Sequence, residues 1–359
     1  MLDLQVIKPH DPLWSQTLQK LRHDIYHLPE YLKLEAIRTQ TIPEAILITQ
    51  EDKIFLIPYL IRSCQDLYQN APHHEEIFDA ISPYGYPGIL LSDAAFGQGE
   101  FLNLAVSYLA KVLRSKNICS AFFRLHPILN YGFEQILPPQ ICQITGETVS
   151  INLMLSEAEI WQQTRSEHRT HINRCRRAGF TAKIVRYEDY IKDFISIYEE
   201  TMNRVTAKQM YYFDYDYFTE LANLHENIHL GIVEFDNQIV CAGIFTEICG
   251  IVQYHLGGTK TDFLKQSPSK LLFDRVRFWA KERGNKIFQL GGGVGGTKDS
   301  LHHFKAGFSK LKHNFLTLRS IADADKYQYL VELQAKKLNV ESEQLLKTSF
   351  FPAYRSSQI

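Results

Sequence analysis

The chain opens without a basic segment leading into an apolar core, so MLDLQVIKPHDPLW is not expected to be a secretory leader. No apolar run approaches the roughly 18–20 residues needed to span a bilayer, so no stable membrane insertion is expected. Net charge is nearly absent too: 39 Lys and Arg stand against 40 Asp and Glu, a formal balance of −1. No global field therefore draws the chain to nucleic acid or lipid, and any such attraction must be local. Cysteine is scarce: the six residues at 64, 119, 142, 175, 241 and 249 form no C-x-x-C pair and no repeated spacing. They read as reduced thiols in a cytoplasmic protein, not as a disulfide framework. There is no G-x-S-x-G elbow and no Ser-His-Asp arrangement, which disfavours a covalent acyl-enzyme.

What is present is a globular composition, 45% hydrophobic and 22% charged. At 359 residues the chain exceeds what one hydrophobic core usually serves, so two domains are expected. EAILITQEDKIFLIPYLI (44–61) predicts a hairpin turning at Gln50–Lys53. A helix is expected over 99–117, a strand over 118–127, and a further helix over 161–178, stopping at Gly179. Then come a strand at 181–187, helices at 188–205 and 217–227, and three strands within 229–259 that turn first at Asp236-Asn237. A helix over 269–284, strands at 286–293 and 313–320 and a short helix near 299–309 complete a mixed sheet flanked by helices. The expected division is 1–147, 148–322, and a tail at 323–359 with one helix and a fraying polar end.

Three stretches carry chemistry. GGGVGGTK (291–298) fits G-x-G-x-x-G, but the acidic residue expected about 20 positions on is missing, and Thr297-Lys298 invert a P-loop's order. It reads as a turn at a strand end, with Gly291, Gly292 and Gly293 as candidate substrate contacts through backbone N–H groups. The segment from Arg165 to Arg186 holds seven Lys and Arg against one acidic residue, Glu167. This basic helix suits an anionic ligand such as a diphosphate or an RNA backbone, with Arg169 and Arg177 as candidates. His168 and His171, at i and i+3, have no third ligand at a recognisable spacing, so no metal site is expected. Arg204, Tyr212 and Phe213, in a run dense with aromatics, are candidate pocket residues, as are Tyr254 and Lys270. In DSLHHFKAGF (299–308), Lys305 follows Phe304 beside the glycine turn, where an ammonium can stabilise an oxyanion.

The order Tyr254-x-x-Gly257-Gly258-Thr259, Ala280-Lys281-x-x-Gly284, Leu290-Gly291-Gly292 and Leu301-x-x-Phe304-Lys305-x-Gly307-Phe308 resembles the FemABX peptidyltransferases and their GNAT-fold acyltransferase relatives. Arg169-x-x-Ile172-x-Arg174-x-x-Arg177-x-Gly179 is similar to the basic helix opening that family's second domain. SPYGYPG (82–88) resembles the first domain of relatives associated with polysaccharide or envelope assembly. The resemblance spans roughly residues 150–320. It implies an α/β (α+β) fold of two tandem GNAT-like domains, each a mixed, mostly antiparallel sheet flanked by helices. By the same resemblance, Lys305 would lie near a reacting carbonyl.

Fem-type enzymes carry an amino acid from aminoacyl-tRNA to an amine of a peptidoglycan precursor, and other relatives are acetyltransferases. This chain has no room for the long helical insertion of some Fem enzymes, and it lacks the Q/R-x-x-G-x-G/A loop of coenzyme A-dependent GNAT domains. The donor therefore stays open between aminoacyl-tRNA and acyl-CoA, as a co-substrate with no tightly bound cofactor. The expected activity is acyl or aminoacyl transfer to an amine of a peptidoglycan or polysaccharide precursor, with tRNA as a candidate partner. The alternative is a non-catalytic module binding RNA or anionic glycan through 165–177.

Overall fold

The computed structural model describes residues 2–68 and 76–357. In chain order the first half gives β1 (Leu2–Ile7), α1 (Pro12–Leu18), α2 (Pro29–Thr39), β2 (Ile42–Gln50), β3 (Lys53–Ser63), α3 (Gln65–Tyr68), β4 (Phe78–Ile81), β5 (Leu90–Leu91), α4 (Gly99–Ser115), β6 (Ile118–Arg124) and β7 (Cys142–Asn152). There follow α5 (Glu157–Gln163), α6 (Ser166–Arg177), β8 (Thr181–Val185), α7 (Tyr187–Arg204), α8 (Tyr215–Leu221), β9 (Ile228–Phe235), β10 (Gln238–Ile248) and β11 (Ile251–Thr259). The chain closes with α9 (Pro268–Glu282), β12 (Ile287–Gly291), α10 (Ser300–Ala306), β13 (Lys312–Ile321), α11 (Ala324–Leu338) and α12 (Ser342–Lys347). No helix among the described residues is long and apolar enough to cross a membrane.

Two compact units result, Met1–Thr145 with Phe315–Ile359, and Gly146–Asn314. In the first, the sheet runs β1-β2-β3-β4-β6-β13, with β5 on β3. It is antiparallel except for β4 beside β6, whose crossover is α4. Phe101, Leu102, Ala105, Leu109 and Leu113 recur at helical spacing on α4 and bury against Ile46, Phe55, Ile57 and Phe123 of the strands. In the second, the sheet runs β7-β12-β11-β10-β9-β8, antiparallel except for β11 beside β12, and the crossover is α9. Leu271, Phe273 and Val276 of α9 bury against Val149, Ile151, Phe245, Val252 and Phe288. Both units thus repeat one plan, a meander entering a parallel pair whose crossover helix covers a face. Each sheet also takes a strand from beyond its own meander: β13 pairs with β6, and β7 pairs with β12.

Three expectations are corrected. The second unit ends at Asn314, not 322, because β13 pairs along β6 from Thr317 to Ile321. Residues 323–357 are not a separate appendage, and the segment around Tyr354 and Arg355 is docked. Tyr354 is buried with its hydroxyl 2.6 Å from Ser120 Oγ, and Arg355 donates to Asp79 at 3.0 Å. The helix expected over 161–178 is two helices. The Thr164 hydroxyl turns back onto the Ile160 carbonyl at 3.0 Å, and the Arg165 N–H leaves the helix for the Gly307 carbonyl at 2.8 Å.

Candidate active site

β11 and β12 pair only over residues 251–253 and 287–289, then separate. Where they part, β12 ends at Gly291 with φ +79°, a left-handed turn that favours glycine. The chain next rounds a tight turn to Asp299, which caps α10: its carboxylate accepts from His302 N at 2.8 Å and from Val294 N at 2.9 Å. Burial works against that carboxylate, yet these backbone hydrogen bonds hold it below its usual pKa. Gly293 is required in the turn, since a Cβ there would meet the Thr297 carbonyl and the Asp299 carboxylate.

α10 is pinned from several sides. His302 meets Glu147 at 3.0 Å, and His168 Nε2 donates to the Phe304 carbonyl at 2.8 Å. A Cβ on Gly307 would strike the His168 ring, so glycine permits the close approach of α6. The His168 ring also packs edge-on to Phe308 at 4.8 Å, and burial pushes its pKa down to about 4.

These constraints turn Lys305 inward. It is only 6% exposed, its Nζ donates to the Gly292 carbonyl at 2.7 Å, and it lies 5.5 Å from the Tyr254 ring centroid. No carboxylate lies within ion-pair distance of it among the described residues. Burial lowers its pKa to about 7, with Asp299 pulling the other way. An ammonium held by one carbonyl beside an opening in a sheet can switch its hydrogen bond to an oxyanion, and it can also surrender its proton near neutral pH.

Beyond the expected Gly291, Gly292 and Gly293, the N–H groups on the far side of the glycine turn are spent within it. Val294 N serves Asp299, Gly296 N the Gly293 carbonyl, and Thr297 N the Val294 carbonyl. Gly292 faces Lys305 with a carbonyl, so the lysine itself is the donor there. Phe304 packs on Phe273 at 5.3 Å and on Phe308, beside Lys305, and Tyr254 packs on Phe273 at 4.8 Å, so the structure groups Gly292, Tyr254, Phe304 and Lys305.

The other candidates lie apart or are otherwise engaged. Lys270 is buried, its Nζ 2.6 Å from Glu167 and 3.2 Å from His171 Nδ1, joining α9 to α6 rather than standing open. Arg204 donates to the Thr259 carbonyl and the Thr261 hydroxyl, both at 3.0 Å, and so ties α7 to the end of β11. Tyr212 donates to Asn203 at 3.1 Å, and Phe213 is core, packed on Tyr217 at 4.5 Å and near Tyr198 and Phe218. Arg165, just before α6, meets His303; on α6 itself Arg176 reaches the buried Asp274, whereas Arg174 and Arg177 lie on the exposed side and Arg169 is half-buried. Asp299 was overlooked, although Asp before a short helix is a cap signal. Glu147 and the buried Asp274–Arg277 pair carried no sequence signal at all.

A meander running into a splayed parallel pair, with its crossover helix beneath and a short lysine-bearing helix at the opening, is a GNAT-like fold. Residues 162–305 match the family model described as Acetyltransferase (GNAT) domain. Over nearly its whole length the chain has the fold of FemX: the TM-score is 0.67 at 12% identity, covering 91% of this chain and 99% of that one. It is also similar to the C-terminal domain (DUF2156) of a putative lysylphosphatidylglycerol synthetase from Agrobacterium fabrum, at TM-score 0.54 and 13% identity, covering 86% and 90% of the two chains. A third likeness is to L-PGS from Bacillus licheniformis, at TM-score 0.54 and 12% identity, covering 87% and 92%. Comparison with curated protein sequences gives no match.

Proposed function

We propose that this chain is an N-acyltransferase or aminoacyltransferase that moves an acyl or aminoacyl group onto an amine of a cell-envelope precursor. One observation carries the reading: Lys305, buried without a touching carboxylate, donates to the Gly292 carbonyl where β11 and β12 part. A lone buried ammonium is costly to a fold, so its retention at a strand opening points to chemistry. In the proposed mechanism the acceptor amine attacks the activated acyl carbon directly, in a ternary complex. Lys305 shifts its hydrogen bond from Gly292 to the developing oxyanion; as that collapses, the bond from the acyl carbon to the tRNA oxygen or the CoA sulfur breaks, and the departing tRNA or CoA takes up the proton the amine gives up. The donor is a co-substrate, aminoacyl-tRNA or acyl-CoA, and the exposed arginines of α6 are suited to its phosphates. The envelope reading draws on the likeness to FemX and to lysylphosphatidylglycerol synthetase.

The test supplies purified protein with envelope precursors and, in separate arms, charged tRNA or acyl-CoA, and reads products by mass spectrometry. A mass gain abolished by Lys305→Ala is the expected result, and the productive arm identifies the donor. Silence in both arms, with RNA binding that falls steeply in salt and depends on Arg169 and Arg177, would replace the enzyme by a binding module.

A further inference from the structure

A cavity of about 710 Å³ opens on the second unit between α5, the end of α6, the start of β8 and α9. That is the size of a small-ligand site. α9 turns Leu271, Asp274 and Phe278 towards it at helical spacing, while Phe273 of the same helix packs on Phe304 of the candidate active site. Gly292, Tyr254, Phe304 and Lys305 do not line it, so the chemistry proposed above leaves it unused.

Its walls are apolar and its base is charged. Trp161, Phe180, Leu271 and Phe278 form the walls, and Phe180 is fixed by stacking on Phe235 at 4.2 Å. At the base two guanidinium groups share one carboxylate: Arg176 and Arg277 both donate to the wholly buried Asp274. Arg277 is itself buried, and its other Nη donates to the Thr164 hydroxyl at 2.6 Å. Arg176 is different. Its side chain is half exposed and lines the cavity, and only its Nη2 has a hydrogen-bond partner among the described residues. Asp274 and the Trp161 ring, 5.8 Å from the guanidinium carbon, hold that group in place. Two positive charges against one negative leave an excess of one, and Arg176 presents it to the cavity. Of the other charged liners, Arg275 pairs with Glu282 at 3.4 Å, and Glu157 stands exposed on the first turn of α5, where water and salt screen it.

We propose that this cavity is a second ligand site and binds a monoanion with an apolar body, a carboxylate carried on an aromatic ring or an alkyl chain. The site is independent of the acyl-transfer reading. The carboxylate takes the donors left free on Arg176, whose planar group suits its two oxygens. In doing so it supplies the counter-charge that Asp274, shared between two arginines, does not. Trp161, Phe180 and Phe278 cover the body and remove its apolar surface from water. Charge narrows the choice. One negative charge matches an excess of one, whereas a phosphate monoester dianion overshoots it and adds repulsion from Glu157.

Isothermal titration of the full chain with phenylacetate and, separately, octanoate tests the site. Acetate serves as charge without a body, and phenylacetamide and octanamide as bodies without charge. The expected result is saturable binding of at least one of the two carboxylates, the tighter arm identifying ring or chain. Acetate and the matching amide should bind about tenfold more weakly or worse. Arg176→Gln should weaken the carboxylate about tenfold, the scale of a lost charge-assisted hydrogen bond, and leave the amide unchanged. It keeps the Asp274–Arg277 pair, so the fold should survive. Should that variant fold poorly, Ala158→Trp fills the cavity from the exposed side of α5 and should weaken the same carboxylate. The proposal is overturned if neither carboxylate binds saturably, if the amides bind as tightly as their acids, or if both variants bind as wild type does.

Discussion

Lys305 Nζ and the Gly292 carbonyl oxygen are 2.7 Å apart, and 13 residues of turn and helix separate them in sequence. The contact joins the strand opening to the helix that faces it, and it puts the one hydrogen bond found for this ammonium among the described residues on an atom that a substrate oxygen can replace. Activity and stability should therefore respond to Lys305 in opposite directions.

Lys305→Met should reduce turnover by about 10²–10³, the usual effect of removing an oxyanion donor. It should also raise the melting temperature. The lysine pKa falls from 10.5 in the unfolded chain to about 7 in the fold, so the unfolded state binds the extra proton between these values. The cost of burial therefore grows as pH falls from 10.5 to 7 and is complete below 7. The stabilisation by methionine, on the order of 3–5 kcal/mol, should be largest at or below neutral pH and fade towards pH 10. Thermal melts of both proteins across that range measure it, and a destabilised methionine variant would refute it.

If the ammonium is the active form, kcat/KM should fall as pH rises through about 7. Lys305→Arg should retain its charge and move that limb upward. A rate that instead rises through 7 would make Lys305 a base for the acceptor amine.

His168 is buried and neutral, its pKa held at about 4 by desolvation. Because the folded value lies below the unfolded 6.5, stability is complete above 6.5 and is lost as pH falls from there towards 4. The loss from this group is on the order of 2–4 kcal/mol. His168→Asn should show a smaller drop in melting temperature between pH 7 and pH 5 than wild type, which scanning calorimetry at the two pH values resolves.

Asp274 and Arg277 form a wholly buried pair on α9, and Asp274 also receives the half-exposed Arg176. Asp274→Asn should cost about 3–5 kcal/mol by leaving the Arg277 charge buried and uncompensated. Asp274→Leu combined with Arg277→Met should recover most of that loss, and urea unfolding of the three proteins tests the order.

Elements built from local periodicity were legible in the sequence. The 44–61 run is β2 and β3, in register from Ile42–Ile61 to Gln50–Lys53. The Asp236-Asn237 turn is real, both residues having positive φ. What the sequence concealed was decided by partners far along the chain. The break at Thr164–Arg165 exists because Gly307, some 140 residues on, offers a carbonyl. Phe213 looked like a pocket wall because it sits among tyrosines, and only packing shows those rings turning on one another. The polar end of the tail was expected to fray, but Tyr354 is held there by Ser120, 234 residues away. Within the site, the Phe-Lys pair and the glycine turn could be read from residue type, whereas the spent N–H groups of that turn could not.

The strand that β13 lends to β6 also constrains synthesis. As the chain leaves the ribosome, the first sheet can assemble through β6, yet its last neighbour is nearly 200 residues from being made. The nascent first half must wait with the β6 edge unprotected, an invitation to pairing with other chains. Slowing translation between residues 125 and 310 should therefore increase aggregation more than a delay placed after residue 321. The order of production, as well as the finished sequence, bears on whether the protein reaches its fold.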